Sequence, residues 1–228
     1  MDRDYDRRDA SKLPPVRLYR ELEHGEQLVV AADPSEGASD YCAAAALSKR
    51  HLDCPFVYND RTDSTQFGYE LYNFCKYIFN KTGMWPRLAV ERNTGQATIS
   101  TLKLLNYPYL FRMIDFAATA STEGGDIGWV TTGSWSAGEL VGTRRKMLDD
   151  LALAIKQKRI KMYDEEQIRQ IMAFRWYRGG GRQQSNKKDD LLFATGIAWQ
   201  LQLVTPEQYL DDFSVEEFKK EQEKWRFK

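Results

Sequence analysis

Histidine is nearly missing from this chain, with two in 228 residues, and cysteine is almost as scarce, with three. His24 and His51 stand outside the acidic segments described below, so neither is assigned to catalysis. Cys42, Cys54 and Cys75 are odd in number, widely spaced and set within apolar patterns. That pattern indicates neither a disulfide framework nor a zinc site, and it favours buried thiols in a reducing compartment. Net charge is lacking too, since 33 Lys and Arg balance 33 Asp and Glu, so a polyanionic partner would need a local basic patch. No apolar run approaches the roughly 20 residues that span a bilayer. The first ten residues, MDRDYDRRDA, are charged where a signal peptide would be apolar, so a soluble intracellular protein with no membrane partner is expected.

What is present is ample material for a core, 42% hydrophobic and 13% aromatic. Residues 1–25 are charged, contain Pro14 and Pro15, and read as a linker or lead-in with a short strand or helix near 16–22. The organising stretch follows, LVVAADPSEGASD at 28–40. Its unbroken apolar run is closed by Asp33 and Pro34, as in a strand buried on both faces that ends at a turn. Residues 41–49 and 53–59 give a second and third strand, hence an antiparallel meander. Asp63 offers a helix cap, and Phe67, Leu71, Phe74 and Ile78 recur at helical spacing until Gly83 stops the run. Residues 88–90 form another short apolar run, which ends in Glu91. Residues 96–105 read as a helix and 109–114 as a strand. The Gly-, Ser- and Thr-rich stretch 115–136 reads as a surface excursion with a task. A helix is expected from Ala137, with Leu140, Met147, Leu148, Leu151 and Ile155 on one face. Then come a strand at 160–163, a helix at 165–173, and a last core helix opened by 186–190, with Leu191, Ala194, Ala198 and Leu201 as its stripe. The expected class is α/β, with residues 26–228 as one domain.

Two apolar strands therefore end in acids, Asp33 and Glu91, and the last helix begins with Asp189 and Asp190. With the strand ends side by side and the helix start packed over them, three or four carboxylates converge. Clustered like charges are costly unless a cation neutralises them, and hard oxygen ligands suit Mg²⁺ or Mn²⁺ rather than zinc. Two such ions about 4 Å apart serve phosphodiester cleavage. Each acid also has a plain reading, Asp33 as a turn opener and Asp189 and Asp190 as helix caps. Spacing alone leaves both open. Arg175, Arg178, Arg182, Lys187 and Lys188 surround Trp176, Tyr177 and Gly179 to Gly181, a basic arm that suits phosphate contact and base stacking. A solvated charged hairpin is the alternative there. Arg92 and Asn93 directly follow Glu91 and are placed to orient a scissile phosphate, while Arg144, Arg145 and Lys146 either extend the basic patch or are simply solvated.

The ordered segments VVAADPSEGASDY, LAVERNTGQ and KKDDLLFATGIAW resemble the RNase H-like nuclease domain of the large terminase subunit of tailed bacteriophages. The segment IGWVTTGSWSAGELVGTRRKMLDDL, at 127–151, is similar to that family's Gly-Trp-x-Thr-Thr loop and following helix. The resemblance covers roughly residues 26–203. It implies an RNase H-like mixed central sheet, an antiparallel meander followed by parallel strands, flanked by helices. It also implies a metal-dependent endonuclease that cuts concatemeric viral double-stranded DNA in the host cytoplasm at the start and end of capsid filling. Asp33, Glu91, and Asp189 or Asp190 match the family's metal-binding acids, with Asp40 matching a further acid met less regularly, and two Mg²⁺ or Mn²⁺ ions are the implied cofactor. There is no G-x-x-x-x-G-K-[ST] phosphate loop, the nearest string being Asn80-Lys81-Thr82-Gly83, so no ATPase is expected of this polypeptide. It is expected to be an excised or separately encoded nuclease domain, for which an ATPase domain, small terminase and portal are partners in the full-length context. The competing readings are a resolvase- or transposase-like nuclease of the same fold, and a non-catalytic DNA-clamping or procapsid-docking module.

Overall fold

The apolar run that organises the sequence becomes an inner strand of a mixed sheet. The computed structural model describes residues 14–35, 41–113, 126–131, 134–136, 139–174 and 188–208. Its first strands are β1 (Val16–Leu18), β2 (Leu28–Asp33), β3 (Tyr41–Ser48), β4 (Asp53–Cys54) and β5 (Phe56–Arg61). Helix α1 (Ser64–Thr82) crosses over to β6 (Arg87–Val90), and α2 (Gln96–Leu104) follows. The five-stranded sheet has the order β1-β5-β3-β2-β6. β2, β3 and β5 pair antiparallel, as does β1 on β5, and β6 returns parallel to β2. This is the expected mixed sheet, a meander followed by a parallel strand. The lead-in contributes the edge strand β1. The expected third strand is split at Pro55, and β4 leaves the main sheet to pair with β11 (Lys161–Met162).

The second half adds β7 (Arg112–Met113), β8 (Asp126–Ile127), β9 (Ser134–Ser136), β10 (Glu139–Val141), α3 (Thr143–Lys156), α4 (Glu165–Ala173) and α5 (Asp190–Val204). The helix expected from Ala137 begins later, at Thr143. β9 and β10 form a hairpin instead, and Gly142 at φ 128°, a conformation that favours glycine, separates β10 from α3.

Alternation along the strands divides the core into two layers. Leu28, Val30 and Ala32 of β2 pack with Phe67, Leu71, Cys75 and Ile78 of α1 and with Ile99 and Leu102 of α2. Asp63 caps α1 by accepting from the amides of Thr65 and Gln66, and Gly83 ends it in the left-handed conformation. Val29 and Ala31 face the other way, onto Met147, Leu148 and Leu151 of α3 and Leu192, Ile197 and Ala198 of α5. β3 is nearly all alanine between Cys42 and Leu47, which lets α5 settle closely on it, with Leu191 and Ala194 against Ala43 and Ala45. Only one stripe of α5 was expected to be buried, yet every residue from Leu191 to Gln202 is. The helix lies between the sheet and the pair α3 and α4, and the absence of any charge from 191 to 202 matches that position. No described helix is long and apolar enough to cross a membrane.

Candidate active site

Because β2 and β6 are parallel neighbours with Ala32 opposite Val90, their next residues, Asp33 and Glu91, emerge side by side at the same end of the sheet. The Glu91 amide donates to the Ala32 carbonyl at 2.8 Å, which fixes that register up to the acids. By alternation with Val29, Ala31 and Ala89, both side chains fall on the face covered by α5. The Asp33 carboxyl is pushed well above the usual range. Burial is the largest cause, followed by repulsion from Asp190, Glu91 and Asp189, with Arg144 pulling the other way. Asp190, Glu91 and Asp189 therefore all lie close enough for Asp33 to feel their charge. Arg144, at the start of α3, lies over the Phe193 ring and is the cation whose charge reaches Asp33 most strongly.

Glu91 is almost fully buried and is held by two threonines. Its carboxylate accepts from the amide of Thr94 at 3.2 Å and from the hydroxyl of Thr131, with the Thr94 hydroxyl oxygen alongside at 3.2 Å. Thr94 also donates to the Pro34 carbonyl at 2.6 Å, which ties the turn after Glu91 to the turn after Asp33. That turn is tight at Gly95, where an added Cβ would lie 2.1 Å from the Glu91 carbonyl oxygen. Asn93 donates to the carbonyl and hydroxyl of Thr131, at 2.9 and 3.0 Å. Arg92 is engaged with Asp126 in an exposed ion pair.

Asp189 occupies the N-cap position of α5, yet its side chain makes no cap hydrogen bond. The cap comes from α4, where the Gln170 side-chain carbonyl accepts from the buried Leu191 amide at 2.8 Å and Gln167 donates to Thr195 at 2.7 Å. The hydrogen-bonded cap of α5 is therefore supplied by Gln170 and not by Asp189. Its neighbour Lys188 sets its ammonium 3.0 Å from the centroid of the Tyr41 ring. Arg175, Arg178, Arg182 and Lys187 of the basic arm, and Asp40, lie outside the described residues.

Among the described residues no three His, Cys, Asp or Glu side chains stand at metal-ligating spacing, so the acids are electrostatic neighbours without forming a closed ligand set. The donors are all hard oxygens, and the repulsion concentrated on Asp33 is what a divalent cation relieves, so the residues fit such an ion in kind. Sequence reasoning located the acids but missed Thr94, Gln170 and the role of Thr131. Thr131 lies within the Gly-Trp-x-Thr-Thr segment and carried a signal, whereas Gln170 carried none.

An α/β sheet with acids gathered at the ends of adjacent parallel strands is one recurring way to build a site at a strand terminus. No family model and no curated protein matches the sequence. Solved structures do match the fold. The large terminase nuclease from thermophilic phage G20c with bound magnesium aligns at a TM-score of 0.60 and 13% identity, over 83% of this chain and 88% of that one. The large terminase nuclease domain of Thermus phage P74-26 aligns at 0.55 and 14%, over 87% and 91%. The P22 large terminase nuclease domain aligns at 0.51 and 13%, over 84% and 91%. The chain thus has the fold of large terminase nuclease domains. The G20c nuclease has also been seen with bound cobalt and with bound zinc.

Proposed function

We propose that this chain is a divalent-metal-dependent DNA endonuclease of the large terminase type, cutting concatemeric viral double-stranded DNA during genome packaging in the host cytoplasm. The observation that carries the reading is the register of β2 and β6, which sets Asp33 and Glu91 side by side at one end of the sheet, with Asp190 and Asp189 near enough to help raise the Asp33 carboxyl. Asp33, Glu91 and one or both of Asp189 and Asp190 would hold Mg²⁺ or Mn²⁺, and two such ions would supply Lewis acidity for the attacking water and for the charge on the scissile phosphate. The chain's own part is to orient. Thr94 and Thr131 fix the Glu91 carboxylate in one orientation, and the Thr94 bond to Pro34 keeps the two acidic strand ends in step. Gln170, and not Asp189, accepts from the Leu191 amide at the start of α5. Arg144 supplies the nearby positive charge. The basic arm, Arg175, Arg178, Arg182, Lys187 and Lys188, together with Arg92, would contact the DNA backbone. An ATPase domain, small terminase and portal would be its partners in packaging.

The test is a plasmid assay. The purified chain should nick and then linearise supercoiled DNA with Mg²⁺ or Mn²⁺, EDTA should stop it, and Asp33→Asn should abolish cutting while leaving the circular dichroism spectrum unchanged. Cutting by Asp33→Asn at a rate comparable with wild type would remove Asp33 from the chemistry.

A further inference from the structure

A pair of cations sits at the same end of the sheet. Tyr41 opens β3, Arg61 closes β5, and the two are register partners. The Arg61 guanidinium lies over the Tyr41 ring at 4.9 Å from its centroid, and the Lys188 ammonium lies over the same ring at 3.0 Å. The two charges can be no farther apart than those distances added together, about one Debye length at physiological ionic strength, which is roughly 8 Å. They therefore repel with little screening. Arg17, Arg20, Arg50, Arg92, Arg145 and Arg169 each meet a carboxylate. Neither Arg61 nor Lys188 forms an ion pair with any described residue.

Their place relative to the acids follows from register. Ala43 is the partner of Asp33, and Tyr41 is two residues along β3 on the same face. Tyr41 is thus the diagonal neighbour of Asp33, a relation that puts side-chain origins about 7–8 Å apart. Lys188 directly precedes the acidic pair. Arg61 therefore brings a second positive charge to a ring that stands beside the carboxylates.

We propose that Arg61 and Lys188, carried on the Tyr41 ring, form a seat for backbone phosphates of the DNA strand next to the position of cleavage. The proposal rests on the endonuclease reading above. A DNA strand carries one phosphate per 3.4 Å of helix axis, so two cations this close are either bridged by one phosphate or matched to consecutive ones. An anion there removes the repulsion between the cations. The aromatic ring holds the two side chains beside the acids, and among the described residues neither has a carboxylate partner that DNA would have to displace. Such contacts set the register of the strand and carry no sequence information.

The test measures affinity of the full chain for a fluorescein-labelled 30-base-pair duplex across a salt series, once in EDTA and once in Mg²⁺ on an Asp33→Asn background. The double variant Arg61→Gln, Lys188→Gln should bind more weakly and lower the slope of log affinity against log salt by about 0.9 where one phosphate bridges the two cations and by about 1.8 where each cation neutralises its own. Tyr41→Leu, which keeps both charges but removes their platform, should weaken binding to a lesser degree. The charge-keeping exchange Arg61→Lys, Lys188→Arg should restore most of the slope. Wild-type binding with an unchanged slope in the double variant overturns the seat and leaves the endonuclease reading standing. A wild type that binds no duplex in either condition overturns both.

Discussion

Asp33 destabilises the metal-free fold through burial and through repulsion from Asp190, Glu91 and Asp189. Both effects raise its pKa in the folded chain above the unfolded value of about 3.9. Its favourable contribution is therefore complete below about pH 4 and is lost as pH rises through the folded value. Glu26, Asp53 and Asp164 run the opposite way. Burial is the largest influence and pushes each up, but the hydrogen bonds each accepts, from Arg20 or Arg17 and from neighbouring hydroxyls or amides, together with the arginine charge outweigh it and hold them below the usual range. Their contribution is present above about pH 4 and is lost as pH falls through their folded values, so the two windows do not overlap. In EDTA at pH 7, Asp33→Asn should melt at the same temperature as wild type or higher, and any gain should shrink towards pH 4. A melting series that places the variant below wild type at pH 7 would mean that Asp33 is a hydrogen-bonded turn residue and not a member of a strained cluster.

At the scale of elements, the turn between β6 and α2 has the least room for change. A Cβ on Gly95 would lie 2.1 Å from the Glu91 carbonyl oxygen and 2.7 Å from a Val90 methyl, closer than real atoms approach. Gly95→Ala must open the turn, which moves Glu91 away from Thr94. The expected result is a chain that still folds, melts several degrees lower, and cuts plasmid on the order of 100-fold more slowly, the penalty for displacing a positioned group by about 1 Å. Wild-type cutting rates would show that Glu91 need not be held in place. Much of this element structure was legible. β2 ended where Asp33 and Pro34 ended the apolar run, and α1 ran between Asp63 and Gly83 as its caps require. The start of α3 was not legible, because Leu140 continues the helical spacing across a strand and only the backbone at Gly142 marks the break. The full burial of α5 was visible as a stretch without charge, although periodicity drew attention to one face. The acids stood out because they end apolar runs. Thr131 and Gln170 did not, since each acts on a residue 40 or 21 positions away and only the fold brings them together.

Across the whole molecule, buried polar contacts lock residues 14–25 of the lead-in to the body. Arg17 and Tyr19 both reach Asp164, the cap of α4, and Arg20 bridges Asp53 and Glu26, while Tyr163 donates to Asp53 at 2.8 Å. Arg17 and Asp164 are 9% and 1% exposed, and breaking such a buried pair typically costs about 3–5 kcal/mol, so residues 14–25 are not expected to detach before the core melts. α4 in turn holds α5 through Gln167 and Gln170. Binding at the acidic end should therefore appear as a shift of one cooperative transition and not as local tightening. The unfolded chain has no assembled site, so an ion at 100 times its Kd should stabilise the native state by about 2.7 kcal/mol. For a domain of this length that corresponds to roughly 5–10 °C. Mn²⁺ should act at lower concentration than Mg²⁺, because Mg²⁺ demands near-ideal octahedral geometry and sheds its waters reluctantly. The control is Asp33→Asn, which removes one ligand and one repulsive charge, so its metal response should shrink even where its apo form is the more stable. A wild-type transition indifferent to millimolar Mn²⁺, or an equal shift in the variant, would mean that the acids at the strand ends do not act together on a metal.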